Sequence, residues 1–283
     1  MPFSQKGEEG RYVTELEAAK AVRSGNVYFG NRICPFAHMA WWTSKEVGFE
    51  SMMDYIHVEL GDNKPAWYAG INPLGTVPCL YVDGHRICES KIIVEYMNEK
   101  MKGTLLPEDP IKRADARFLI AMWGDKVFAK LYTVLRTTDP CDRQCAWEQL
   151  LEVLSFFDHA YEESKSKDGP YFMGNDLSMV EIVIMPFIAR FATLLPHYHG
   201  LNFFKDRHIP TLERAYREVL KRPAFAATKL DAELCIQFYN AYVHGSKAIV
   251  KKKDCTCKWR TPGYVLAGAA AGFVACKLFC KRS

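Results

Sequence analysis

Cys34-Pro35-Phe36-Ala37 stands between a short apolar run at 26–29 and a stretch whose apolar residues Phe36, Met39, Ala40 and Val47 recur at helical spacing. A thiol at a strand-to-helix junction faces the free amides and the positive dipole end of the helix, a setting that stabilises a thiolate and lowers its pKa. Pro35 suits the first helical position, where a missing N–H costs nothing. Ala37 occupies the place of the second thiol in a CxxC pair. A disulfide formed at Cys34 must then be resolved by a separate thiol molecule, which favours exchange with small thiols over protein dithiol oxidation.

Two further groups match this chemistry. In Asn72-Pro73-Leu74-Gly75-Thr76-Val77-Pro78, the proline just before a strand candidate is where thioredoxin-like folds place a cis peptide bond, exposing the Val77 backbone for antiparallel pairing with a peptide. Glu89-Ser90 open a helical pattern, where a hydroxyl and an amide can hold a carboxylate and the acid can hold an amine. Together they suit a small peptide with a free amino-acid head. Cys79 and Cys88, in apolar strand patterns, read as structural cysteines.

The elements that must position these groups follow from periodicity. A strand at 26–29, a helix from Phe36, a strand at 55–60, a helical stretch near 64–69, strands at 79–82 and 86–88, and a helix carrying Ile92, Ile93, Tyr96 and Met97 make a βαβαββα order. Asp83-Gly84 joins the last two strands as a hairpin turn. A parallel pair followed by a hairpin predicts a thioredoxin-like α/β domain over 24–102, after an N-terminal extension at 1–23. Gly103, Pro107 and Pro110 mark a linker at 103–111. An all-helical domain is expected over 112–246, with helices at 112–138, 142–165, 178–195, 210–222 and 230–250. The third of these is apolar nearly all round, as a central buried helix would be, and Ser178 with Glu181 forms its capping box.

The motifs Cys34-Pro35-Phe36-Ala37, Asn63-Lys64-Pro65-Ala66-Trp67, Asn72 to Pro78 and Glu89-Ser90 resemble, in order and spacing, the omega class of glutathione transferases over about residues 24–245. The resemblance implies the glutathione transferase architecture, with glutathione as co-substrate and no metal. Cys34 would form a mixed disulfide with glutathione, Lys64 would contact the glycyl carboxylate, and Val77, beside Pro78, would pair with the cysteinyl backbone. Glu89 and Ser90 would bind the γ-glutamyl end. It further implies deglutathionylation or dehydroascorbate-type reduction of a disulfide or electrophilic small molecule, and a homodimer. Among the aromatics of the helical half, Phe118, Trp123, Trp147, Phe191 and Tyr239 are candidates for lining an apolar second-substrate pocket, Phe118 and Trp123 foremost, with core packing expected for most of them. Glu181 departs from the aspartate usual in that family's capping box. The alternatives are a non-catalytic organelle-surface relative, metaxin-like, and a chloride intracellular channel-like protein. The complete glutathione-binding set argues for the enzyme.

The formal charge is +4, but residues 247–283 carry nine Lys and Arg against Asp254, so +8 lies in that segment and −4 in the rest. An acidic body is a poor binder of phosphate backbones, which argues against nucleic acid. Ten cysteines scattered through apolar segments point to a reducing compartment. The first twenty residues are too acidic, and lack the apolar core, for a secretory signal or transit peptide. The segment 264–280, apolar but for Lys277, follows a basic stalk at 247–263. It is expected to anchor the chain in a membrane with the body facing the cytosol, Lys277 reaching back to the interface. Its shortness and flanking cations favour the mitochondrial outer membrane over the endoplasmic reticulum. Cys255, Cys257, Cys276 and Cys280 beside it are candidate palmitoylation sites.

Overall fold

The computed structural model describes residues 10–164 and 169–245. The basic stalk, the apolar segment 264–280 and the four cysteines near them lie outside the described residues, as do residues 1–9.

A four-stranded sheet in the order β2-β1-β3-β4 is built from β1 (Asn26–Gly30), β2 (Met53–His57), β3 (Cys79–Val82) and β4 (His85–Cys88). β1 runs parallel to β2 and antiparallel to β3. The β3–β4 hairpin turns on Asp83 and Gly84, both at positive φ (50° and 77°). A two-residue I′ turn demands this, and Asp-Gly supplies it at little strain. The helices preceding and joining these strands are α1 (Glu15–Ser24), α2 (Pro35–Glu46) and α3 (Tyr68–Ile71), and α4 (Ser90–Lys100) follows β4. The helical half comprises α5 (Pro110–Met122), α6 (Ala129–Arg136), α7 (Pro140–Ser164), α8 (Met179–His199), α9 (Phe203–Asp206), α10 (Pro210–Lys221), α11 (Pro223–Thr228) and α12 (Ala232–His244).

The expected order of elements is present, with three corrections. The N-terminal residues from Arg11 onward are integral to the fold rather than an extension. Arg11 bonds to the edge of β2 through Arg11 N to Tyr55 O and His57 N to Arg11 O, both 3.0 Å, and α1 buries Ala18 and Ala21. The overlooked signal is Thr14 with Glu17, a capping box that starts α1. Second, the helix expected over 64–69 is a single turn displaced to Tyr68–Ile71, because Pro65 and the loop to Pro73 leave room for no more. Third, the helix expected over 112–138 is interrupted by a π-helical turn, Trp123–Phe128, between α5 and α6. Such insertions swing the side chains beyond them to a new face.

The α/β and helical halves are tied through α2. Glu46 near its C-terminus accepts from Arg222 Nε (2.8 Å) and Nη2 (2.7 Å) and from Trp42 Nε1 (2.7 Å). The planar guanidinium fork suits this bidentate contact. The linker segment is pinned as well: Leu105 N donates to Asn98 Oδ1 at 3.0 Å and Leu105 O accepts from Met179 N at 2.7 Å. One apolar core runs from one sheet face, under α2 and α4, into the helical half; a second fills the other face beneath α1 and α3.

Among the described residues, α8 is the helix long and apolar enough to cross a membrane, yet it is the central core element, with Val180, Ile184, Ile188 and Phe191 fully buried. Its N-terminus is set by Glu181, itself wholly buried. Glu181 accepts from Ser178 N (2.8 Å), Ser178 Oγ (2.7 Å) and Phe172 N (2.9 Å), while Ser178 Oγ accepts from Val180 N (3.0 Å). Burial raises the carboxyl's pKa against the pull of these donors. Glu181→Ala strands three buried donors at once. At ~1–3 kcal/mol for each unsatisfied group the loss is about 3 kcal/mol or more, readable as a lowered urea midpoint.

Candidate active site

Cys34 is the N-cap of α2, extended at φ −70° and ψ 119°, with Pro35 at the first helical position. Its carbonyl accepts the first helical bond, from His38 N at 2.9 Å. No side chain caps this end, so its amides face the half-buried thiol. Across from it, the Val77–Pro78 peptide is cis, and the Cys34 S–H donates to Val77 O at 3.8 Å.

The thiol's electrostatics differ from the expectation of a simply lowered pKa. Burial pushes the Cys34 thiol up, and this outweighs the amides of Ala37 and Phe36 and the Arg190 guanidinium, which pull it down. The helix end acts as expected, but the thiol sits under the Val77 carbonyl, where desolvation penalises the anion.

The loop that carries Cys34 is held by residues that sequence reasoning did not single out. Asn31 accepts from Ile33 N at 3.0 Å and donates to Val58 O at 2.9 Å, fixing the end of β1 against the segment after β2. Arg190, from the middle of α8 and 2% exposed, reaches the same loop. It donates to Arg32 O (2.6 Å), Ile33 O (3.1 Å), Pro186 O (2.7 Å) and His38 Nδ1 (3.0 Å). Thr228 Oγ1 lies 3.0 Å from His38 Nε2 and donates to Ala224 O at 2.9 Å. The consistent tautomer is a neutral imidazole, Nδ1 accepting from Arg190 and Nε2–H donating to Thr228. Burial, then the charges of Arg190 and Arg32, hold the His38 pKa well below its ordinary value. Arg190 is thus a buried cation held by three backbone carbonyls and a neutral imidazole, next to a group that can become an anion.

Of the residues expected to hold a small peptide, Val77 lies against Cys34. Asn72, fully buried, shapes the loop before Val77 by donating to Thr76 O (2.7 Å) and accepting from Leu74 N (3.1 Å). Lys64 lies over this loop, its Nζ donating to Gly75 O at 2.5 Å. Glu89 is the N-cap of α4 at φ 70°, a region that non-glycine residues enter rarely and that clusters at ligand sites. Ser90 follows as the first helical residue, nine-tenths buried. Neither end of this helix start is capped by a side chain, so its amides are open to an anionic group. Among the described residues the Val77 amide donates to no backbone carbonyl, and Ser90 Oγ has no side-chain partner. These groups fit the backbone and carboxylates of glutathione.

The second-substrate residues need correction. Phe118 points away from the site: Ala116, Leu119, Ile120 and Trp123 form the buried stripe of α5, and Phe118 lies opposite, 54% exposed, against Phe156. Trp123 is a core residue packed on Phe157 and Phe187, reaching the site only through Phe187. Trp147 is core against Phe203. A cluster of Phe36, Phe128, Phe187 and Tyr132, with neighbouring ring centroids 5.1–5.6 Å apart, instead adjoins the first turn of α2, the helix that Cys34 caps. Tyr132 contacts Phe191, Tyr239 and Tyr242 and is close enough to Cys34 to feel its charge. Phe191 and Tyr239 therefore stand behind Tyr132. The π-helical turn brings Phe128 and Tyr132 to this face, and a straight-helix reading of the sequence could not place them.

His199 Nε2 lies 2.9 Å from Leu135 O, and among the described residues no three His, Cys, Asp or Glu side chains converge as metal ligands.

Comparison with known proteins agrees with this geometry. Residues 33–100 match the glutathione S-transferase N-terminal domain and residues 117–228 the glutathione S-transferase C-terminal domain. The chain is similar to glutathione S-transferase L3 of Arabidopsis thaliana, 30% identical over 209 residues, covering 73% of this chain and 83% of that one. It is likewise similar to glutathione S-transferase omega-1 of Sus scrofa, 29% identical over 220 residues, covering 77% and 86%. Among solved structures, glutathione transferase Omega 3C of Trametes versicolor superposes with a TM-score of 0.68 at 21% identity, over 81% of this chain and 95% of that one. The trimeric glutathione transferase TDR1 of Leishmania superposes at 0.71 and 24% identity, over 78% and 48%. With both domain families matched in order, the chain belongs to the glutathione transferase family.

Proposed function

We propose that this transferase is a glutathione-dependent thiol transferase and reductase working through a mixed disulfide at Cys34. The observation that carries the reading is a single thiol at the N-terminus of α2, 3.8 Å from the Val77 carbonyl, with Ala37 where a resolving cysteine would be. The Cys34 thiolate attacks the glutathionyl sulfur of a mixed disulfide, and the displaced thiolate leaves and takes up a proton. Glutathione, as its thiolate, then attacks the Cys34–glutathione disulfide, releasing glutathione disulfide and regenerating Cys34. Lys64, Val77, Glu89 and Ser90 hold the glutathionyl group in both steps, and the aromatic wall at Phe36 and Tyr132 receives the second substrate. Deglutathionylation and dehydroascorbate-type reduction both run through this intermediate. Turnover of hydroxyethyl disulfide with glutathione tests the reading, together with mass-spectrometric trapping of a glutathione adduct on Cys34.

We further propose that segment 264–280 anchors the chain in the mitochondrial outer membrane with the body facing the cytosol. Support comes from its apolar run and flanking cations. The full chain is expected to stay with mitochondrial membranes through alkaline carbonate extraction and to be cut by protease added outside intact mitochondria. A chain lacking 247–283 is expected in the soluble fraction. Extraction of the full chain by carbonate would refute the anchor.

A further inference from the structure

Cys79 and Cys88 face each other across the β3–β4 hairpin, their Sγ atoms 3.9 Å apart. In a two-residue hairpin the residues flanking the turn, here Val82 and His85, form a hydrogen-bonded pair, and pair types alternate from there. Cys79 and Cys88, three positions on, are a non-hydrogen-bonded pair. In such pairs the Cα atoms approach to about 4.5 Å, inside the range of about 4.4–6.8 Å that a disulfide spans. Bringing the sulfurs together therefore asks for small side-chain rotations within an existing register.

The two thiols are unequal. Cys88 is partly exposed, and its S–H donates to Asn72 Oδ1 at 3.5 Å. Cys79 is fully buried, and burial, followed by the neighbouring Cys88, pushes its thiol up. Both are joined directly to the cradle: Val77-Pro78 leads into Cys79, and Glu89-Ser90 follows Cys88.

We propose that Cys79 and Cys88 are a redox-active dithiol that a low-molecular-weight disulfide such as glutathione disulfide oxidises to a cross-strand disulfide, weakening the adjacent glutathione cradle. The second half of this rests on the proposed glutathione-binding role of Val77, Glu89 and Ser90. The Cys88 thiolate attacks one sulfur of glutathione disulfide, forming a Cys88–glutathione disulfide and expelling one glutathione thiolate. Cys79 then loses its proton and attacks the Cys88 sulfur, expelling the second. Two protein thiols are oxidised by two electrons, and two glutathione molecules carry away the two protons. Closing the gap from 3.9 Å to the roughly 2.05 Å of a disulfide rotates the Cys88 thiol out of its hydrogen bond to Asn72, the residue that shapes the loop before Val77.

The test uses the full chain carrying Cys34→Ser, so that adducts at the catalytic thiol do not interfere. After incubation with glutathione disulfide, blocking of free thiols and tryptic digestion, peptide 46–86, whose one cysteine is Cys79, is expected joined to peptide 87–91, which holds Cys88; reduction separates them. Affinity is read with S-methylglutathione, which cannot reduce the bond. Oxidation is expected to weaken its binding about fivefold, the equivalent of one misaligned hydrogen bond, and to leave the Cys34→Ser, Cys88→Ser chain unchanged. Peptides that remain separate, unmodified or singly glutathionylated, overturn the dithiol. An equal loss of affinity in the double variant overturns the link to the cradle. If S-methylglutathione fails to bind even the reduced chain, the cradle assignment falls, and the peptide cross-link still decides the dithiol.

Discussion

Cys34→Ala is expected to reduce turnover of hydroxyethyl disulfide with glutathione by about 10³-fold or more, towards the uncatalysed background, because Cys34 is the thiol set between the N-terminus of α2 and the Val77 carbonyl, where the proposed mixed disulfide forms. Cys79 is buried on the sheet, and Ala37 supplies no second thiol at the helix end. The substitution leaves the fold intact: the Cys34 backbone, not its side chain, starts α2, and the position is only partly buried. Binding of S-methylglutathione is therefore expected to persist in the variant, separating loss of chemistry from loss of the site. Full turnover in Cys34→Ala would end the mixed-disulfide mechanism. Because burial raises the Cys34 pKa, the wild-type rate of Cys34 alkylation should keep climbing as pH rises past neutrality.

Arg190 gives the second large effect. Its guanidinium bridges the Cys34 loop to α8 through Arg32 O and Ile33 O, and its charge opposes the desolvation of the Cys34 thiolate. Arg190→Met removes both contributions. The carbonyls of Arg32 and Ile33 lose their donor, and the apparent pKa of Cys34 is expected to rise by about one unit further, since one unit corresponds to about 1.4 kcal/mol of lost preference for the anion. Alkylation of tryptic peptide 33–45, whose one cysteine is Cys34, followed against pH, reads this directly. Arg190→Lys keeps the charge without the fork and should restore most of the pKa while leaving stability below wild type. A purely structural Arg190 would lower the melting temperature in both variants and leave the pH profile unmoved.

Arg190 also illustrates why part of the site is invisible in the sequence. An arginine inside the apolar pattern of α8 is a conspicuous anomaly in the chain, and a buried cation is a signal worth following. Nothing in the pattern says that its partners are 152 to 158 positions away, at His38, Ile33 and Arg32. The aromatic wall was hidden for a different reason. Phe118 and Trp123 precede the π-helical turn that follows Met122, whereas Phe128 and Tyr132, at and beyond its end, pack toward Phe36. Thr14 and Glu17, by contrast, form a capping box that is legible in the chain three residues apart.

By itself the sequence determined what depends on neighbours in the chain. Pro35 at the first helical position, Asp83-Gly84 in the hairpin, Pro78 before a strand, Glu89-Ser90 at a helix start and Ser178 with Glu181 at another each act over one to four residues, where backbone sterics and capping hydrogen bonds operate. Those local rules placed the elements that carry the thiol and the proposed cradle in the order the fold shows. Only the tertiary structure decided how the thiol is tuned and what surrounds it: burial set against Arg190, Tyr132 as the nearby aromatic, and the 3.9 Å approach of Cys79 to Cys88. Desolvation, Coulomb interaction and side-chain packing depend on distance in space, and the chain carries that distance only once it has folded.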